Sequence, residues 1–237
     1  MGKTSSRLLV WSARLVKVVM VVVAVPVAVG LLRGVLQQTD AASASGGTWH
    51  EWIQWGFMTY VWIHLLLFRP QALFRASHRL FSVLAGWVFG GQVASVETSG
   101  GKGKSAKGVG EPGQQGSTLV AFSPYVIPLS VILVCALAWL LAHWVDRVWL
   151  DAPASFLIGL TAAFHWLMTA EALQQQRSRW HLETYLLAIG LVFVVSLLIG
   201  GSCLTWAIPG YAFLQALADG LAHAQAIYTT LVQRLFL

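Results

Sequence analysis

The chain of 237 residues is 57% hydrophobic and only 10% charged, its net charge is +6, and its mean hydropathy is +0.69. Since an ordinary soluble domain carries roughly 25% charged residues, this composition excludes a water-facing globule. The apolar runs are continuous and reach the roughly 20 residues that a helix needs to cross a hydrocarbon core. The sequence therefore predicts an all-α integral membrane protein, a single membrane domain over residues 1–237 with five to six transmembrane helices.

The basic residues lie in short clusters beside apolar runs. Such clusters orient membrane helices and meet anionic lipid headgroups. The positive net charge thus indicates the lipid bilayer as a partner, and not nucleic acid. Other integral membrane proteins are the further expected partners, because helix surfaces rich in Trp, Ala and Gly can dock against them. The two cysteines, Cys135 and Cys203, lie inside apolar runs and are interpreted as small buried side chains.

The first predicted span covers about residues 15–36 and follows a group of four basic residues. These are Lys3, Arg7, Arg14 and Lys17. A basic start, an apolar run and the small residues Ala42–Ala44 also resemble a cleaved signal peptide, but the run exceeds the roughly 7–15 apolar residues of such peptides. We therefore expect a retained membrane anchor.

The second predicted span covers about residues 51–68 and is ended by Arg69 and Pro70. Residues 80–96 are apolar but interrupted by Gly86, Gly90 and Gly91. Glycine-rich backbone at membrane depth is tolerated where protein or water surrounds it, so these residues form a candidate re-entrant segment. Residues 98–117 are rich in glycine and dotted with lysine, a composition typical of a flexible loop.

Three further spans are predicted at about residues 122–145, 153–172 and 183–208. A basic turn containing Arg177 and Arg179 precedes the last of them. Residues 212–236 repeat apolar side chains at steps of three and four, which is the pattern of an amphipathic helix. This C-terminal helix is predicted to be either a sixth span or a helix lying on the membrane surface.

The distribution of basic residues distinguishes two topologies. If residues 80–96 dip into the membrane and return, twelve of the fifteen Lys and Arg residues lie on the side of the N-terminus. If that segment crosses, the lysines of the loop and the pair Arg177 and Arg179 move to the other side. The positive-inside rule favours the re-entrant topology, with the N-terminus on the cytoplasmic side of a bacterial inner membrane.

Several short motifs occur in a fixed order between Tyr60 and Leu198. They are His78 at a helix start, the turn Phe89–Val93 that contains Gly90 and Gly91, the segment Phe122–Tyr125 that contains Pro124, and Ala163–Thr169 followed by three glutamines. This order resembles the short bacterial form of the site-2-protease-like intramembrane zinc metallopeptidases. In that family a His-Glu-x-x-His helix precedes a Phe-Gly-Gly turn, and a Pro-Tyr segment opens the next span. The resemblance implies structural turns at Gly90, Gly91, Pro124 and Tyr125.

The catalytic motif of that family is degenerate in this chain. Where the family has His-Glu-x-x-His, the sequence has His78, Arg79 and Ser82 at the positions of the first ligand, the general base and the second ligand. The later aspartate of the family aligns with Arg179. A cation repels a divalent metal and cannot accept a proton at neutral pH. The resemblance therefore implies a member that holds no metal or other cofactor and is not an enzyme.

Two histidines lie inside predicted spans, His64 in the second and His165 in the fourth. Each is either a possible intramembrane ligand to haem or bacteriochlorophyll, or a neutral side chain hydrogen-bonded to a backbone carbonyl or a hydroxyl of a neighbouring helix.

The expected function is non-enzymatic, as a structural or accessory subunit of a larger membrane complex or a binder of transmembrane clients. One alternative is a haem- or bacteriochlorophyll-associated subunit of an electron-transfer or light-harvesting complex. The other alternative is a small transporter.

Overall fold

A computed structural model describes residues 3–44, 47–66, 76, 83, 125–175 and 181–236 of the chain. Within these ranges the elements of regular structure are six helices and no strands. They are α1 (Lys3–Ala44), α2 (Trp49–Leu66), α3 (Leu129–Leu141), α4 (Arg147–Gln175), α5 (Leu182–Ala207) and α6 (Phe213–Phe236). The predicted all-α fold is confirmed.

Three helices in the described part of the chain are long and apolar enough to span a membrane, at Arg14–Ala44, Arg147–Gln174 and Leu182–Ala207. This is fewer than the five to six predicted. The predicted third span is reduced to the 13 apolar residues of α3, because Pro128 has no backbone N–H to donate and disfavours helix at the residue before it. Helices α2 and α6 carry polar side chains among their apolar ones, which lowers their hydropathy.

Helix α1 is much longer than the predicted first span of residues 15–36. It is continuous over 42 residues and contains Pro26. The small residues Ala42–Ala44, which resembled a cleavage site, belong to its last turn. The Oγ of Ser43 accepts a hydrogen bond from the backbone N–H of His50, at 3.0 Å, which joins the end of α1 to the start of α2.

The C-terminal helix, predicted as either a sixth span or a surface helix, lies antiparallel along α1. Small residues let the two backbones approach closely, as they do in membrane helix pairs. A Cβ added to Gly30 would lie 2.4 Å from the Gly220 carbonyl oxygen, and one added to Gly34 would lie 2.2 Å from that of Ala216. Further along the same pair of helices, the Gln38 amide donates to the Asp219 carboxylate at 2.9 Å.

Helices α2 and α4 form a second close pair through Gly56 and Gly159. A Cβ at Gly56 would lie 1.9 Å from the Phe156 carbonyl oxygen, and one at Gly159 would lie 2.0 Å from that of Ile53. Further along both helices, the rings of Tyr60 and Phe164 meet edge to face at 5.6 Å. From the Gly56–Phe156 contact to the Tyr60–Phe164 contact the residue numbers rise on both helices, so α2 and α4 are parallel.

The helices alternate in direction, as side-chain contacts show. At the end of the bundle where α1 begins, which we call the N-terminal end, Arg14 lies 3.7 Å from the Glu183 carboxylate, and Lys17 donates to Thr184 at 3.0 Å. The opposite end, called the far end, contains a core that joins the ends of α1, α3 and α5 to the starts of α2, α4 and α6. Its members include Ala42, Trp49, Ala138, Ala154, Ala207 and Tyr211. The chain therefore leaves α2 and enters α3 at the same end of the bundle.

Candidate functional site

Most of the residues of the predicted degenerate motif lie outside the described residues. This holds for His78, Arg79 and Ser82, for Gly90 and Gly91 of the predicted turn, and for Pro124. The predicted loop 98–117 and, except for residue 83, the predicted re-entrant segment 80–96 also lie there. Those predictions stay predictions.

Two of the predicted residues, His165 and Tyr125, are brought together. His165 is 5% exposed on α4, and it makes a hydrogen bond with the backbone of Tyr125, just before α3. Its Nε2 atom is buried and has no hydrogen-bond partner among the described residues. A backbone hydrogen bond on one ring nitrogen occurs both in structural histidines and in histidines whose other nitrogen binds a metal, so both predicted alternatives for His165 stay predictions.

His64 lies in the last turn of α2, on the same face as Tyr60, and the two ring centroids are 6.0 Å apart. Its Nδ1 atom is buried, and so are the Tyr60 hydroxyl and the Thr169 hydroxyl, all without a partner within the described ranges. In the same ranges, no three or more His, Cys, Asp or Glu side chains are grouped so that they could hold a metal ion. The C-terminal halves of α2 and α4 thus contain buried polar atoms, but among the described residues they contain no group of metal ligands.

A large cavity lies among α1, α2, α3, α4 and α5. It has a volume of about 610 Å³ and is partly open to the surface. Its volume lies inside the range of roughly 300–1,000 Å³ found for ligand sites.

The walls of the cavity are formed almost entirely by hydrocarbon. They include Leu32 and Leu36 of α1, Val131 of α3, Ile158 of α4 and Leu197 of α5. Two polar side chains, Trp166 and Ser196, also line this apolar part of the cavity, and their polar atoms are already hydrogen-bonded within the protein. The indole N–H of Trp166 donates to the Ser196 hydroxyl at 2.9 Å, and that hydroxyl donates to the Phe193 carbonyl oxygen at 2.9 Å.

The far end of the cavity is polar, and a chain of hydrogen bonds organises it. The Gln54 amide donates to Nε2 of His50 at 2.6 Å, which leaves the ring proton on Nδ1. Nδ1 then donates to the Thr39 hydroxyl at 3.2 Å, and this hydroxyl donates to the Leu36 carbonyl oxygen at 2.8 Å. Beside this network the exposed side chain of Glu51 lines the cavity.

Reasoning from sequence alone missed this cavity and its polar end. One signal was available, because Glu51, Gln54, Trp55 and Met58 follow the i, i+3, i+4, i+7 spacing of one helical face. That face lines the cavity, and the exposed fractions of Trp55 and Met58, 66% and 52%, place them at its opening. The other walls come from helices distant in sequence, so only the packing reveals them.

No family model, curated protein or solved structure matches this chain.

Proposed function

We propose that this protein is a non-enzymatic accessory subunit of a larger membrane assembly, and that it docks onto a transmembrane helix of its partner through α1. The observation that carries this proposal is an apolar stripe on α1 in which large side chains recur at alternating steps of four and three. The stripe consists of Trp11, Leu15, Val18, Val22, Val25 and Val29. Each of these side chains is exposed, from 71% at Trp11 to 47% at Val18.

The stripe faces away from α5 and α6, the two helices that pack along α1. At about 100° per residue, its members lie within a narrow sector of the helix. Gly30 and Gly34, which contact α6, lie about 60° and about 100° beyond one edge of that sector. Lys17 and Ala24, which contact α5, lie on the other side. The stripe is part of a wider exposed apolar surface, which also includes Val16, Val19, Met20 and Val23. Its spacing of three and four residues is the one that packs a second helix knobs-into-holes.

The proposed topology has the N-terminus in the cytoplasm of a bacterium and six helices that cross the inner membrane, α2, α3 and α6 included. The alternating helix directions support it, because they put the start of α1, the end of α2 and the start of α3 at one end of the bundle. If residues 67–124 return to that end, thirteen of the fifteen Lys and Arg residues lie on one side, because the antiparallel α6 also brings Arg234 there. This excess is what the positive-inside rule requires.

The absence of enzymatic activity is proposed from the substituted motif. If the resemblance to site-2-protease-like peptidases is correct, Arg79 and Ser82 replace a general base and a zinc ligand. A catalytic zinc needs three protein ligands and an activated water. A chain that has lost two of these groups retains its helix surfaces, and binding of transmembrane segments is the property that would survive.

The docking proposal is tested by a scan with a photo-crosslinking amino acid in the full-length protein in its native membrane. We expect protein adducts at Val18, Val22 and Val25. The matched controls are Val16 and Val23, which are 60% and 45% exposed. They lie outside the stripe, on the same face of α1 as Gly30, which contacts α6. Adducts with lipid alone at all five positions, or adducts without the three-four period, would refute the proposal.

A further inference from the structure

We propose that the cavity binds a membrane lipid whose headgroup contains an ammonium group. Its hydrocarbon chain fills the apolar space between α1, α2, α4 and α5, and its ammonium pairs with the Glu51 carboxylate at the far end. This site is distinct from the exposed stripe on α1, and it goes beyond the docking function.

The distribution of polar and apolar side chains along the cavity indicates that the ligand is an amphiphile. The body of the cavity is lined by aliphatic side chains such as Leu32, Ile158 and Leu197, and its one polar pair, Trp166 and Ser196, is already hydrogen-bonded. A hydrocarbon chain can therefore fill this space while the polar atoms of Trp166 and Ser196 keep their hydrogen bonds. A polar ligand in the same place would lose its hydrogen bonds with water and gain none. The other polar side chains that line the cavity in the described part of the chain, Thr39, Glu51 and Gln54, lie at the far end, where a headgroup would lie.

The charge at the far end selects the headgroup. Glu51 contributes a carboxylate, and the Gln54 and His50 side chains beside it are engaged with each other at 2.6 Å. Among the described residues that line the cavity, none is Lys or Arg. A hydrogen bond between an ammonium and a carboxylate is charge-assisted and stronger than a neutral one, and a headgroup with net negative charge would be repelled.

The position of the opening gives a lipid access from the bilayer. Helices α1 and α2 are hydrogen-bonded at the far end, through Thr39, Ser43 and His50, and the cavity lies between them. Trp55 and Met58 stand at the opening with large exposed apolar side chains. In a protein surrounded by lipid, a hydrocarbon chain can enter through this apolar opening directly from the bilayer, without being exposed to water.

The test uses the full chain reconstituted in vesicles that contain one of two photoactivatable phospholipids. Both carry a diazirine on the acyl chain, and they differ only in the headgroup, phosphatidylethanolamine or phosphatidylglycerol. We expect the ethanolamine probe to label Ile158 and Leu197, which are 3% and 5% exposed, about fivefold more than the glycerol probe, the ratio given by a partly exposed ion pair. Val22 on the outer surface should be labelled equally by both probes.

Two variants separate the chain site from the headgroup site. Gly200→Leu places a side chain in the cavity, since a Cβ there would be 3.9 Å from Val131, and we expect it to abolish labelling of Ile158. Its matched control is Gly190→Leu on the same helix but outside the cavity lining, with 3.8 Å to Ala24, which should label normally. Glu51→Gln should make the two probes equal.

Three results would overturn the proposal. One is the absence of labelling at Ile158 and Leu197 while Val22 is labelled. The second is equal labelling of the wild-type cavity by both probes, which would refute the ammonium headgroup. The third is a photochemical or chemical cross-link between the cavity and residues 67–124, which would show that the chain itself fills the space. These three results come from the wild-type protein, so the test stands even if Gly200→Leu does not fold.

Discussion

The seam between α1 and α6 should not tolerate a single added methyl group at Gly34. An alanine Cβ there would lie 2.2 Å from the Ala216 carbonyl oxygen and 2.6 Å from the Gly220 backbone nitrogen, whereas ordinary contacts begin at 3.4 Å. Both atoms belong to backbone and cannot rotate away. The two helices would therefore have to separate by roughly 1 Å, since packed protein has no slack to absorb the methyl group.

The cost of that separation is large for so small a change. A gap of 0.5–1 Å forfeits roughly a quarter to a half of the dispersion energy of each contact that it opens, and overpacking costs typically 1–3 kcal/mol. We expect Gly34→Ala to lower the free energy of unfolding by about 3 kcal/mol, the upper end of that range, because the obstacle is backbone on both helices. The folded-to-unfolded ratio would then fall on the order of 100-fold.

Reversible unfolding in mixed micelles of a mild and a denaturing detergent measures this change. The matched control is Gly190→Ala on α5, whose Cβ would meet Ala24 at 3.8 Å, and which should be neutral or slightly stabilising because alanine favours helix over glycine by about 1 kcal/mol. Ala216→Gly should not rescue Gly34→Ala, since the Ala216 clash is with its carbonyl oxygen. Equal stability of the two Gly→Ala variants, or rescue by Ala216→Gly, would refute the close backbone contact.

Two further predictions concern topology and metal content. Cysteines introduced at Ser105 and Ser178 in a cysteine-free background should resist an impermeant thiol reagent in intact cells, because the proposed topology puts both positions on the cytoplasmic side. Labelling of either cysteine from outside would contradict the re-entrant topology. Elemental analysis should find far less than one zinc per chain, and His78→Ala should leave function intact, since a missing general base alone costs roughly 10²–10⁴ in rate. Stoichiometric zinc, or loss of function in His78→Ala, would revive the metallopeptidase hypothesis.

The sequence alone determined the class of the protein and the course of its most regular helices. Composition predicted a membrane protein made of helices, and the bounds of α5 and α6 differ by only one residue from the predicted ranges 183–208 and 212–236. These properties are local, because the ends of an apolar run or of an amphipathic repeat can be identified from the sequence of that segment alone. The resemblance to a degenerate peptidase rests on motifs that mostly lie outside the described residues, and it stays a prediction.

The tertiary structure decided everything that depends on which helices are neighbours. An amphipathic period cannot distinguish a membrane-surface helix from one that packs along α1, because both bury one face. From sequence alone, a glycine inside a helix is expected to destabilise the helix, yet Gly34 is the residue at which the backbones of α1 and α6 approach each other closely. His165 and Tyr125 are forty residues apart in sequence and joined in space. The free stripe of α1 and the cavity likewise exist only once packing has covered the other faces, since burial is a property of pairs of helices and not of one.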